Sequence, residues 1–118
     1  MISKNFFKFF LKNKIVSTNL IISIIINFSI WINLLRIKKV DEMIPLHYNV
    51  YFGIDYIGGW HKIFILPSIG LIILFINFLL ALLVYYKDKF ISYILIFSVL
   101  FIQIILFLAS LSIVWINI

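Results

Sequence analysis

A short polar stretch holds the side chains that are best suited to chemistry. His47, Asn49 and Asp55 follow one another closely in the segment IPLHYNVYFGIDYIGG. A histidine paired with an aspartate can act as an acid and a base, because histidine titrates close to neutral pH. A second, structural interpretation is that Asp55 and Asn49 hydrogen-bond to the backbone of a turn, with His47 bonded to one of them. We favour the structural interpretation, since no nucleophile and no substrate pocket is recognisable.

The same stretch also contains side chains that could bind a metal ion. Imidazole and carboxylate ligands are available from His47, Asp55 and His61, together with Asp41 or Glu42. Their spacing matches no standard zinc pattern. We therefore predict a protein with no catalytic residue, no metal and no cofactor, which is not an enzyme.

Composition indicates what surrounds this polar stretch. The chain has 118 residues, enough for one domain, and 65% of them are hydrophobic, against about 45–50% in soluble proteins. Its mean hydropathy is +1.23, and so small a soluble domain could not bury that much apolar surface. The net charge of +6 comes from lysines beside apolar blocks, which favours contact with lipid headgroups over nucleic acid. There is no cysteine, so disulfides are excluded.

Long apolar runs predict an all-α membrane protein with three transmembrane helices. We place the spans at residues 15–35, 63–86 and 90–116, each long enough to cross a hydrocarbon core of about 30 Å. The link 87–89 is so short that the second and third spans should be antiparallel neighbours. Residues 1–14 place lysines on one face and phenylalanines on the other, which predicts an interfacial amphipathic helix; the alternative is a stub that only orients the first span.

Polar residues recur on one face of each span. Asn19 and Asn27 lie on one stripe of the first span, Asn77 shares a face of the second with the small residue Gly70, and Gln103 lies near the middle of the third. The stripe of the third span contains these residues: Ser92, Gln103, Ser110 and Asn117. Such faces usually mediate helix–helix hydrogen bonds and close packing. A polar conduit is the alternative interpretation.

Residues 36–62 are predicted to form a structured loop between the first two spans. From Pro45 onward the side chains could alternate along a strand, and Gly53, Gly58 and Gly59 could supply turns. A hairpin or compact cap on the bundle is the expected result. The aromatic residues within it and just beyond it suggest that it lies against the membrane surface: Tyr48, Tyr51, Phe52, Tyr56, Trp60 and, just beyond, Phe64.

The loop resembles the signature of SdpI-like bacterial membrane proteins. The shared pattern is Pro-x-His-aromatic-Asn followed by Asp and Gly, carried here by Pro45, His47, Tyr48, Asn49, Asp55 and Gly58. The family's glycine usually follows the asparagine by three residues, whereas here Phe52 occupies that place and Gly53 comes next. The resemblance covers the first span, the loop and the second span, and this chain is shorter than SdpI itself. It implies a membrane component linked to immunity against a peptide toxin or to signal transduction.

The expected role is therefore binding of a peptide, a lipid or a partner membrane protein through the loop. An oligomeric pore, holin-like or transporter-like subunit, assembled as a homo-oligomer, is the alternative. Lysine and arginine are more frequent on the side of residues 1–14 and 87–89 than in the loop, which predicts a cytoplasmic N-terminus. The loop and the C-terminus would then be extracytoplasmic.

Overall fold

The described part of the chain folds into four α-helices, a short 3₁₀ helix and one β-hairpin. The computed structural model describes residues 4–49 and 53–117, with side-chain detail for residues 7–46 and 58–117. The elements in chain order are α1 (Lys4–Lys12), α2 (Lys14–Leu34), β1 (Ile44–Asn49), β2 (Gly53–Gly58), a 3₁₀ helix (Trp60–Phe64), α3 (Ile65–Val84) and α4 (Lys89–Asn117). Residues 1–3 of the predicted interfacial segment lie outside the described residues.

Three helical segments within the described part of the chain are long and apolar enough to cross a membrane. They are α2, the 3₁₀ helix continued by α3, and α4. Large apolar side chains on them face outward: Phe28, Phe75 and Phe101 are more than 60% exposed, which suits contact with acyl chains rather than water. The structure thus fits the predicted multi-pass membrane protein with three spanning helices. The strands that the structure describes lie in the connection between the first two of these helical segments.

The last helix, α4, forms the centre of the bundle because it packs against both α2 and α3. Hydrogen bonds show whether α4 runs parallel or antiparallel to each of these two helices. Asn27 of α2 bonds to Gln103 and Asn33 to Ser110, so α2 and α4 run parallel. Ser92 bonds to a carbonyl near the end of α3, whereas Gln103 bonds to one near its start. The antiparallel neighbours predicted from the short link are therefore confirmed for α3 and α4.

Apolar side chains fill the two ends of the bundle. We call the end with the hairpin and the C-terminus the cap end. Its cluster contains Ile30, Leu34, Ile37, Ile44, Leu46, Ile63, Ile113 and Val114. The cluster at the other end contains Phe10, Val16, Ala81, Leu82, Tyr85 and Ile96. Most of the buried amide and hydroxyl groups of α2 and α4 lie between these clusters.

Asn13 joins the helices at the end opposite the cap. Its side-chain oxygen accepts from the backbone N–H of Ile15 at 2.9 Å and so caps α2. Its amide nitrogen donates to the hydroxyls of Tyr85 and Tyr93, at 2.8 and 2.6 Å. One side chain thus fixes the start of α2 to the end of α3 and the first turns of α4.

Replacing Asn13 with alanine should therefore lower the free energy of unfolding by about 2 kcal/mol, since the helix cap and two interhelical bonds are lost together. Unfolding with sodium dodecyl sulfate in mixed micelles, followed by tryptophan fluorescence, measures the change. Thr18→Ala on the exposed face of the same helix is the matched control. An Asn13→Ala variant as stable as this control would contradict the assignment.

Candidate functional site

The residues of the loop motif lie on the β-hairpin. Strands β1 and β2 pair antiparallel, and the Cα partner of His47 is Tyr56, the residue next to Asp55. Asn49 pairs with Gly53 at the far end of the hairpin. The strand pairing therefore brings the backbone of His47 close to that of Asp55, although the two residues are eight positions apart in the sequence.

The strand pairing is irregular at the histidine. The register shifts between Pro45 and His47 and again between His47 and Tyr48. The Cα pairing of this part of β1 is therefore not uniform, and the alternation of side chains that the sequence predicts from Pro45 onward stays a prediction. Irregularities of this kind bend a strand and redirect its side chains, and they are common beside functional sites.

The side chains of residues 47–57 and the backbone of residues 50–52 lie outside the described residues. The acid–base, metal-binding and turn-holding interpretations of His47, Asn49 and Asp55 consequently stay predictions, as does the alternation predicted for 50–52. Among the residues that the structure does describe, no group of three or more histidine or acidic side chains is positioned to hold a metal ion.

The base of the hairpin is fixed to the bundle. Leu46 and Ile44 of β1 are buried in the apolar cluster of the cap end. Asn117, in the last turn of α4, donates from Nδ2 to the carbonyl oxygen of Pro45 at 2.6 Å. Trp60 donates from Nε1 to the carbonyl oxygen of Ile37 at 2.9 Å. The cap is thus attached to the helices by side-chain packing and by hydrogen bonds.

Close packing explains why glycine occupies position 58. A Cβ atom added there would lie 2.7 Å from Cδ1 of buried Leu46 and 3.0 Å from Cδ of Lys62. The backbone at position 59 does not require glycine, because Gly59 has φ −65° and ψ 151°, which any residue can adopt. Gly58 thus has a packing role, and the turn role that the sequence predicts for the two glycines stays a prediction.

The two strands have different environments. β1 packs against α4, whereas β2 has β1 as its main partner. In a two-stranded sheet each strand pairs along one edge only, so β2 has a second edge to which no strand is paired within the described part of the chain. An edge of this kind can accept an extended peptide as a further strand.

Below the cap, an amide cluster joins the three spanning helices. Asn27 of α2 donates from Nδ2 to the carbonyl oxygen of Pro67 on α3, at 3.1 Å, and to Oε1 of Gln103 on α4, at 3.0 Å. Gln103 in turn donates to the carbonyl oxygen of Gly70 at 2.9 Å, and Trp31 donates to Oδ1 of Asn27 at 3.1 Å. Asn27 and Gln103 are 2% and 0% exposed, so these bonds form in an apolar surrounding.

Gly70 makes this cluster possible because it leaves room for the two amides. A Cβ atom at this position would lie 2.8 Å from Nδ2 of Asn27, 2.9 Å from Cδ1 of Leu106 and 3.1 Å from Oε1 of Gln103. The prediction that Gly70 permits close helix approach agrees with this geometry.

The other polar side chains of the spans differ in how their hydrogen-bonding groups are satisfied. Asn33 donates to Ser110 Oγ at 3.0 Å, and half-buried Asn77 donates to the Leu95 carbonyl at 3.3 Å. Asn19, in contrast, donates to the Ile15 carbonyl of its own helix, and it makes no interhelical bond among the residues that the structure describes. The hydroxyl of Ser23 is buried without a hydrogen-bond partner among the described residues.

Asn13 and Trp31 form hydrogen bonds between or within helices that are not predicted from the sequence. Asn13 precedes a long apolar run, which is the usual signal for a helix N-cap, so its capping role could have been predicted. The role of Trp31 could not, because its bond to Asn27 depends on the rotamer that places its indole over the preceding turn.

Comparison with known proteins adds no assignment: no family model, no curated protein and no solved structure matches this chain.

Proposed function

We propose that the protein is a membrane-embedded binding component that captures an extended peptide segment on its hairpin cap. The observation that carries this proposal is the arrangement of the hairpin, in which β1 is fixed to α4 and β2 keeps a second edge that pairs with no described strand. Main-chain bonds to such an edge supply affinity, and neighbouring side chains supply specificity.

The position of the motif supports a recognition role. His47 lies at the register irregularity, and Asp55 neighbours its Cα partner. A histidine and an aspartate at these two strand positions are residue types suited to selecting polar or charged side chains on an added strand. The fixed base limits the conformational entropy that the hairpin loses on binding.

The resemblance of the loop to SdpI-like proteins supports the choice of ligand. That family's association with peptide-toxin immunity and with signalling favours a peptide, or a segment of a partner membrane protein, over a small metabolite. In this proposal the cap is extracytoplasmic and the N-terminus cytoplasmic, in line with the lysine and arginine distribution.

In the same proposal α1 lies in the headgroup region at the cytoplasmic surface. Phe10 is fully buried, with its ring 5.5 Å from that of Phe78 and 5.1 Å from that of Tyr85. Phe9 is 57% exposed on a helix whose Lys8 and Lys12 are also exposed. A helix anchored at one position, with further rings and lysines outside the protein, suits the boundary between headgroups and acyl chains.

The alternative, an oligomeric pore lined by the polar faces, has less support. The amides of Asn27 and Gln103 are buried within one chain and bonded to its own carbonyls. Opening a polar path along them would require these bonds to be replaced by bonds to water.

Selection of displayed peptides tests the proposal. The protein in lipid nanodiscs is used to select from a library of short random peptides, with empty nanodiscs for counter-selection, and the affinity of the selected peptides is measured by fluorescence anisotropy. We expect His47→Ala, Asn49→Ala and Asp55→Ala each to weaken binding by about tenfold, which corresponds to about 1.4 kcal/mol.

The matched control is Lys87→Ala, an exposed substitution in the link at the opposite end. It should bind as the unchanged protein does. The proposal would be contradicted if no selected peptide binds protein-containing nanodiscs more tightly than empty ones. It would also be contradicted if the three motif variants bind the selected peptides as tightly as the unchanged protein does. Loss of folding in those variants would make the motif architectural, whereas ion flux from protein-containing liposomes would favour the pore.

A further inference from the structure

Two cavities meet at Arg36, where the end of α2 passes the end of α4. The first has a volume of about 560 Å³ and is lined by Arg36, Leu111, Val114 and Trp115. The second has about 260 Å³ and is lined by Arg36, Ile37, Lys38, Val40, Ile44 and Asn117. Arg36 is the residue that they share.

The walls of the first cavity are apolar apart from the arginine. Leu111 and Trp115 lie one helical turn apart on α4 and are 40% and 71% exposed, with Val114 buried between them. The exposed face continues along α4 to Leu108, which is 59% exposed. We call the first cavity together with this exposed apolar face of α4 the groove, and its apolar walls are suited to contact with an acyl chain.

The charged side of the site is Arg36 with Lys38. The guanidinium donates from Nη1 to Oδ1 of Asn33 at 3.2 Å, which orients it at the end of α2. This bond uses one of its five N–H donors, and among the described residues Arg36 makes no ion pair. A guanidinium in this state is well suited to bind a phosphate through two parallel hydrogen bonds.

The depth of the site matches the headgroup region. Arg36 lies just beyond Leu34, the last residue of α2, and Trp115 lies near the end of α4. Tryptophan is enriched at the boundary between headgroups and acyl chains. A phosphate bound to Arg36 would thus lie at headgroup depth, directly above an apolar groove.

We propose that this is a binding site for an anionic phospholipid, whose phosphate binds Arg36 and Lys38 and whose acyl chain lies along Leu111 and Trp115. The apolar groove selects a lipid over free phosphate, because free phosphate would leave it empty. The site also contacts the attachment of the cap, since Asn117 lines the second cavity and holds the Pro45 carbonyl. The bound lipid stabilises the packing of α2 against α4 beneath the hairpin.

Native mass spectrometry of the full-length protein in detergent, titrated with phosphatidylglycerol or phosphatidylcholine, tests the site. We expect tighter retention of phosphatidylglycerol and a dissociation constant about fivefold larger for Arg36→Gln, which is about 1 kcal/mol. Leu111→Trp, which fills the groove and leaves the cations, should weaken binding by a similar factor. Lys39→Gln is the matched control, because Lys39 is an exposed cation of the same loop that lines neither cavity.

Three results would overturn the proposal. They are equal retention of the two lipids, a loss of phosphatidylglycerol affinity with Lys39→Gln as large as with Arg36→Gln, and unchanged phosphatidylglycerol binding by Leu111→Trp. Inorganic phosphate forms a separate arm of the titration, and displacement of the lipid by it at equal concentration would show a site for free phosphate. The unfolding midpoint of each variant is measured in the same detergent. If Arg36→Gln unfolds, the Leu111→Trp titration alone decides the outcome.

Discussion

Replacing Gly70 with valine is expected to destabilise the bundle by about 3 kcal/mol, which exceeds the cost of losing any one interhelical hydrogen bond. A first added carbon would lie within 3.1 Å of Asn27, Leu106 and Gln103, and valine adds two more methyl groups. The helices must then separate, or the amides must rotate away from each other. Higher helix propensity, worth at most about 1 kcal/mol relative to glycine, offsets only part of this cost.

Unfolding by sodium dodecyl sulfate in mixed micelles measures the effect of Gly70→Val. Leu71→Val is the matched control, because it places a β-branched residue at the next, exposed position of α3. Adding Leu106→Ala to Gly70→Val should recover part of the stability, since it removes one of the clashing side chains. Wild-type stability of Gly70→Val would contradict the close approach of α2, α3 and α4 at this position.

Replacing Gln103 with leucine is expected to lower the free energy of unfolding by about 2 kcal/mol. The change removes two interhelical bonds, to Gly70 and from Asn27, each worth about 0.6–2 kcal/mol in a membrane. Leucine has nearly the same side-chain volume as glutamine and suits the apolar surroundings. The loss of stability therefore reports mainly on the hydrogen bonds of the amide.

A double-mutant cycle with Asn27→Leu isolates the bond between the two amides. We expect a coupling free energy of about 1 kcal/mol, because each single change removes the same shared interaction. Ser98→Ala is the control for deleting a polar group, since the Ser98 hydroxyl donates to the Ile94 carbonyl of its own helix. If the two single substitutions change the free energy of unfolding additively, Asn27 and Gln103 do not interact.

Three membrane-crossing helices can be predicted from composition and helical periodicity alone. Runs of isoleucine, leucine and phenylalanine long enough to span hydrocarbon leave no other stable arrangement for the backbone, whose polar groups must be satisfied within each helix. The same patterns indicate that Asn27 and Gln103 face the interior, because exposing an amide to acyl chains is costly. The number of spanning helices and the inward orientation of these two amides follow from local sequence patterns, since each concerns a single helix and the medium around it.

Which groups meet depends on long-range packing. Asn27 and Gln103 are 76 residues apart, and their contact requires a particular register of two packed helices, which local periodicity does not specify. The same holds for Asn19, which shares the stripe of Asn27 yet bonds to its own helix. The central place of α4, the irregular pairing at His47 and the packing role of Gly58 likewise follow from contacts between distant parts of the chain. A periodic pattern shows which face of an element is buried, but the shape of the neighbouring elements determines what that face contacts.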